Sequence, residues 1–389
     1  MNHLTTTSHQ PGTVLQGILG ENATLEPFNA VPQSQQFIAL GSSNRLRWLL
    51  PAHPDARYFM ESWAPQGFLR GLAWRGVCKV HHHQLSRLLP GCSAIGVSGV
   101  DIHEWTHQLF GGDQQGLPAI YVGTEGPRRK AVVGLVNKFG CEQVAKLAIG
   151  EEAATAIRTE TNGLQTAQHL LGERIPRLIG YDSTKHRSVQ SFIHQPLCFS
   201  PWGQAHTEVL NLLQTEETAS LRSQMSELHD AAKPEEHQLI ERFLSRCPSP
   251  VLERPLKLNR VHGDFIPWNL KVGSDPTSPL SVIDWEYYRP RGLPLSDFAF
   301  FTYFTLDFLS PKNIPSNPRF LKSINERSIV EFAIRSGLTP PDLPWVLVGA
   351  LIENALARRQ AGHEIGNAVV SGLLSRAAGL LNYLEFSTG

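Results

Sequence analysis

A chain of 389 residues, 41% of them hydrophobic, is long enough for two or three domains with buried cores. Lys+Arg and Asp+Glu both number 35, so the formal net charge is zero and no global basic field exists to hold nucleic acid. The five cysteines (Cys78, Cys92, Cys141, Cys198, Cys247) form no C-x-x-C pair, which argues against a disulfide framework or zinc ribbon and suits a reducing cytoplasm.

Residues 1–35, rich in Thr, Ser, Gln, Asn and Pro, read as a loose N-terminus with no signal-peptide pattern. Residues 36–117 form an N-terminal extension of mixed pattern, whose role the sequence does not give. Within it "FIAL" and "RWLL" read as short strands. "GFLRGLAWRGVCKVHHHQLSRLL" places Leu69, Leu72, Ala73, Gly76, Val77 and Val80 at helical spacing, with Arg70, Arg75 and Lys79 mainly off that stripe. The expectation is a solvated face over a core stripe; the alternative is a basic helix lying on a membrane. "HEWTH", residues 103–107, fits H-E-x-x-H, in which His103 and His107 share a helix face for Zn²⁺, Glu104 serves as base and Glu125 is a conceivable third ligand. Because "QLFGG" ends that helix within about a turn, a zinc metallohydrolase is only a remote alternative.

From residue 118 the strands become legible: "PAIYVG", then the loop "TEGPRRK", "AVVGLV", the turn "NKFGCE" and "QVAKLAI". A helix over 151–171 follows, with the stripe Ile157, Leu164, Leu171. Glu160 lies three residues after Ile157 and four before Leu164, so its carboxylate points toward the core and requires a partner. "SVQSFI" reads as a further strand, and after residue 207 the chain turns mainly helical. The expected division is a strand-rich lobe over 118–198 and a helical lobe over 199–389. No run of 18 apolar residues predicts a membrane span.

The chemistry concentrates in "VHGDFIPWNL", residues 261–270, and "LSVIDWEYY", where Asp284 stands twenty residues after Asp264. Asp264, Asn269 and Asp284 make a D-x-x-x-x-N plus D set. Phosphoryl transfer from ATP calls for these groups: a carboxylate to orient the attacking hydroxyl and take its proton, and an amide oxygen with a second carboxylate to hold Mg²⁺. Taken singly, Asp264 and Asn269 also suit a turn, and Asp284 a cap after its strand. Pro267 and its apolar neighbours stiffen the loop.

"HGDFIPWNL" followed by "VIDWE" resembles the aminoglycoside phosphotransferase and choline kinase family over about residues 118–389. The resemblance implies an α+β, protein-kinase-like fold with an antiparallel-sheet N-lobe and a mainly helical C-lobe, here preceded by an extra N-terminal α/β segment. It implies that His262 and Asp264 are the catalytic-loop histidine and base, and that Asn269 and Asp284 are the metal ligands. Lys146 in "QVAKLAI" then matches the phosphate-binding lysine and Glu160 its partner. Gly123 and Gly126 fall in the loop that covers the phosphates, residues 192–197 lie where the adenine would sit, and Asp297 matches an aspartate that braces the catalytic loop. Glycine replaces the arginine of H-R-D, "DWE" replaces D-F-G, and no long activation loop follows Asp284, which favours a small-molecule kinase over a protein kinase. Pro127 in the phosphate loop has no amide hydrogen to donate. The expected activity is ATP- and Mg²⁺-dependent phosphorylation of a hydroxyl on a sugar, amino sugar or amino alcohol. A catalytically silent nucleotide-binding scaffold of the same fold is the alternative, and the intact set of three residues speaks against it.

Overall fold

The computed structural model describes residues 11–42, 45–63, 68–112, 115–126, 128–273, 278–309, 317–364 and 366–387. Pro127 and the first ten residues lie outside them. Contacts divide the chain into two compact units, Met1–Arg158 with Pro176–Gln195, and Thr159–Ile175 with Pro196–Gly389.

The first unit is built on one antiparallel sheet, nine-stranded among the described residues, in the order β1-β4-β2-β3-β5-β6-β7-β9-β8. Its strands are β1 (Thr24–Pro27), β2 (Gln36–Ser42), β3 (Arg45–Pro51), β4 (Cys92–Ser98), β5 (Leu117–Val122), β6 (Lys130–Asn137), β7 (Gly140–Ala148), β8 (Leu178–Asp182) and β9 (Arg187–Ser191). The helices are α1 (Pro11–Leu19), α2 (Arg57–Glu61), α3 (Phe68–His82), α4 (Ile102–Phe110) and the start of α5 (Glu151–Leu171), whose residues from Thr159 onward belong to the second unit.

Both faces of this sheet are covered, which explains why strands such as "AVVGLV" read as continuous apolar runs rather than alternating ones. Leu49, Ile120, Val133 and Ala145 pack with Val14, Leu15 and Ile18 of α1 and with Ile102, Leu109 and Phe110 of α4. Their chain neighbours Trp48, Leu50, Ala119, Val132 and Val144 pack on the other face with Phe59 and Met60 of α2 and Cys78 of α3. The extension therefore shares the sheet's core: β3 pairs with β5 through Trp48↔Tyr121 and Leu49↔Ile120. β6 comes so close to α2 that a Cβ at Gly134 would stand 2.5 Å from the Phe59 ring.

Two expectations are corrected here. Residues 11–27 are not loose: α1 buries Val14, Leu15 and Ile18, and β1 pairs with β4. Helix α3 turns a different stripe inward, burying Cys78 and His81 beside the half-buried Trp74 and Val77, while Leu72, Ala73 and Gly76 are exposed. Trp74 sets that rotation, because its indole Nε1–H donates to the Met60 carbonyl at 2.9 Å. "SVQSFI" is a strand as expected, β9, and it forms a hairpin with β8 that the sequence reading did not find, with Tyr181 opposite Ser188.

The second unit is mainly helical: α6 (Gln204–Leu213), α7 (Leu221–Ala231), α8 (Pro234–Arg246), α9 (Ser249–Glu253), α10 (Ser296–Tyr303), α11 (Asn317–Leu321), α12 (Arg327–Arg335), α13 (Leu343–Gln360) and α14 (Ala368–Ser387). A three-stranded sheet joins β10 (Gln214–Ser220), β11 (Pro255–Val261) and β14 (Arg289–Gly292), and a short ladder joins β12 (Leu270–Lys271) to β13 (Ser281–Val282). At the centre runs α13, apolar on nearly all sides and packed by α10 and α14. The elements, an antiparallel sheet with one long helix and then a mainly helical unit, make the chain α+β.

Candidate active site

Strand β11 ends at Val261 and delivers "HGD" into a buried loop. Asp297, in the first turn of α10, accepts the His262 and Gly263 backbone N–H groups at 2.9 and 2.8 Å. That carboxyl makes no side-chain cap of its helix and braces the loop instead. Burial raises its pKa above the ordinary carboxylate range, and His262, the two amide donors and Arg289 oppose the shift.

His262 is fully buried. Its Nδ1 accepts the Asp264 N–H at 3.2 Å, so its Nε2 is the protonated nitrogen and donates to the Ile283 carbonyl at 3.0 Å. The imidazole thus fastens the loop to the residue preceding Asp284. Gly263 has φ +79°, and a Cβ there would stand 2.3 Å from the Tyr287 carbonyl oxygen. The arginine expected from H-R-D is excluded on both counts.

Asn269 closes a single 3₁₀ turn, Pro267–Asn269, and donates from Nδ2 to the Asp264 carbonyl at 2.9 Å and to its carboxylate at 2.7 Å. The Ile283 N–H donates to the Asn269 carbonyl at 2.9 Å, and β12 pairs Leu270 with Val282. Asp284 follows directly, with φ +66°, a left-handed conformation that few non-glycine residues adopt. Fully buried Trp285 packs edge-on against the His262 ring, with centroids 4.8 Å apart. His262, Asp264, Asn269, Asp284 and Asp297 are therefore gathered by one hydrogen-bonded framework. Both hydrogen bonds of the Asn269 side chain use nitrogen, so Oδ1, an uncharged hard oxygen, is its atom suited to a hard cation, and the Asp284 carboxylate is the second hard oxygen donor of the set. This donor set fits Mg²⁺.

Sequence reasoning missed Arg358 on α13. Its Nη2 donates to Asp264 Oδ1 at 2.6 Å and to the Gly263 carbonyl at 3.0 Å. The guanidinium lies 4.3 Å from the Tyr287 ring centroid and 4.1 Å from that of Phe300. Tyr287 in turn hydrogen-bonds His363 at 2.6 Å. The same helix supplies Glu353, which accepts the Leu293 N–H and pairs with Arg289, and Asn354, which donates to the Ser296 carbonyl. The available signal was Glu353, Asn354 and Arg358 interrupting "ALIENALARRQ": polar groups on a helix buried all round require partners.

In the first unit, Lys146 is buried on central strand β7, opposite Val132 of β6 and Ser188 of β9. It is not an edge lysine. Glu160 on α5 is completely buried, and the contact division assigns it to the second unit. Gly123 donates its N–H to the Lys130 carbonyl at 2.9 Å, closing the β5–β6 hairpin loop, and Gly126 stands in that loop with φ +153°. On α4, His103, Glu104 and His107 all face solvent, and Asp101 caps the helix. Among the described residues no group of three or more His, Cys, Asp or Glu side chains could hold a metal ion.

A family model described as the phosphotransferase enzyme family matches residues 195–314, the stretch that holds the His262–Asn269 loop, Asp284 and Asp297. No curated protein matches the sequence. Among solved structures the chain is similar to choline kinase from Streptococcus pneumoniae, at 13% identity and TM-score 0.42 over 67% of this chain and 92% of that one. It is similar to aminoglycoside 2'-phosphotransferase-IIIa, solved with GDP, at 15% identity and TM-score 0.43 over 73% and 99%. A macrolide 2'-phosphotransferase type I matches at 15% identity and TM-score 0.43 over 71% and 97%.

Proposed function

Taking as premise that residues 195–314 carry the pattern of the phosphotransferase enzyme family, we propose that this chain transfers the terminal phosphoryl group of ATP to a hydroxyl of a small molecule. The observation that carries the proposal is the shared framework of Asp264, Asn269 and Asp284, held by His262 and braced by Asp297.

Asp264 orients the acceptor hydroxyl and takes its proton. The Asn269 amide fixes that carboxylate by donating to its Oδ2, while Arg358 holds Oδ1, so the base is gripped from two sides. Asn269 Oδ1 and the Asp284 carboxylate would hold Mg²⁺. When bound, the ion supplies charge neutralisation on the phosphates. Lys146, buried on an interior strand of the sheet, is assigned to the phosphates of the nucleotide, and the buried Glu160 is assigned as its partner by the family resemblance alone. Transfer needs little covalent chemistry from the protein, so positioning is its main contribution.

The acceptor class is a sugar, amino sugar or amino alcohol. Purified protein given Mg·ATP and a panel of such alcohols should release ADP only with an acceptor that it phosphorylates. Release with none of them, by protein that binds Mg·ATP, would favour the scaffold reading.

A further inference from the structure

Between Glu61 and Asp101 the sequence has no acidic residue, yet it carries Arg70, Arg75, Lys79, Arg87 and three histidines, in a chain whose net charge is zero. All four cations are exposed, and among the described residues none of them makes an ion pair. The same segment exposes large aliphatic side chains: Leu72 is 55% exposed, Leu85 47% and Leu88 72%.

The rotation of α3 described above produces this arrangement. Trp74, Val77, Cys78 and His81 face the sheet, so Leu72 points away from it, flanked one turn later by Arg75 and Gly76 and two turns later by Lys79. After α3 the chain turns at Gln84, φ +59°, into the 3₁₀ turn Ser86–Leu88, which presents Leu85, Arg87 and Leu88 outward. An aliphatic side chain among lysines and arginines gains nothing from water. It gains by entering the boundary between headgroups and acyl chains while its cationic neighbours meet lipid phosphates and carboxylates.

We infer that the segment from Arg70 to Leu88 is a peripheral docking surface for anionic lipid membranes. Charge complementarity sets the partner's sign, and the exposed leucines favour a lipid surface over a nucleic acid, which offers no apolar layer. A second copy of the chain is disfavoured, because two such surfaces would bring like charges together. The association is peripheral: no described helix is long and apolar enough to cross a membrane. This inference does not rest on the phosphotransferase reading.

Flotation of the full chain with vesicles tests it. The protein should float with vesicles of phosphatidylcholine mixed with phosphatidylserine, stay behind with phosphatidylcholine alone, and release as salt rises. The double variant Arg75→Glu, Lys79→Glu should lose about thirtyfold or more in partitioning. Leu72→Ser with Leu88→Ser should also weaken binding while keeping the salt dependence. Unchanged thermal unfolding would show that these surface variants remain folded. The inference is overturned if the wild type fails to float with anionic vesicles or if the charge-reversed protein floats equally well. It is overturned too if the leucine variants bind vesicles normally while duplex DNA competes, or if the variants instead abolish a dimer of the free protein.

Discussion

Arg358 Nη2 stands 2.6 Å from Asp264 Oδ1, and both side chains are largely buried, so α13 holds the carboxylate to which the proposed chemistry assigns the acceptor's proton. Breaking such a pair leaves one charge without its partner, at a cost of about 3–5 kcal/mol when the site is dry. Because Asp264 keeps some solvent contact, Arg358→Met should fall at or below the low end of that range in urea unfolding. Arg358→Lys should recover part of the stability, since it restores charge without the planar fork that also reaches the Gly263 carbonyl. Equal denaturation midpoints for wild type and Arg358→Met would show that the pair contributes nothing.

Gly263→Ala should disrupt the loop more than an ordinary surface change. The left-handed backbone alone costs roughly 1–2 kcal/mol, and the Cβ would press on the Tyr287 carbonyl 2.3 Å away. Loss of stability together with loss of turnover is the expected result; wild-type behaviour in both would mean that the Tyr287 backbone can retreat.

His206 gives a pH signature. It is buried beside Trp202 and Phe265, its Nδ1 accepts the Gly203 N–H, and burial pushes its pKa from 6.5 down to about 4. A depressed histidine pKa means that the unfolded chain takes up a proton which the folded one refuses. Its contribution is fully present above pH 6.5 and is lost as pH falls toward 4, by roughly 3 kcal/mol in all. Urea melts across that window should show the loss, and His206→Phe should lack it. An equal slope in the variant would assign the pH dependence to other groups.

Removal of residues 1–116 should abolish nucleotide binding as well as turnover. β5 would lose its pairing with β3, and the sheet would lose α1 and α4 from one face and α2 and α3 from the other. An uncovered apolar edge strand invites aggregation. A soluble truncated chain that still binds Mg·ATP would show that the extension is dispensable for the core of the first unit.

What could be read from the sequence follows where local signals were strong. The buried loop of residues 261–270 and its link to the Asp284 segment were legible because Asp264, Asn269 and Asp284 are polar groups in apolar surroundings. Glu160 was legible as buried because helical period alone points it inward, and it is fully buried. Arg358 was not, since its partner lies 94 residues away and only the fold brings them together. The stripe on α3 was misread because small and aliphatic residues fit two faces of that helix, and the Trp74–Met60 hydrogen bond decides between them. The structure of residues 11–27 was hidden by polar composition, although Val14, Leu15 and Ile18 already carried helical spacing.

The most direct test of the central claim compares Asp264→Asn with Asp284→Ala by thermal unfolding with and without Mg·ATP, each protein against its own nucleotide-free state. A ligand at a hundred times its Kd should stabilise by about 2.7 kcal/mol. The account predicts that wild type and Asp264→Asn both gain this stabilisation, that Asp284→Ala does not, and that Asp264→Asn has lost turnover by roughly 10²–10⁴-fold. Absence of any nucleotide-dependent shift in the wild type, or full turnover by Asp264→Asn, would contradict it.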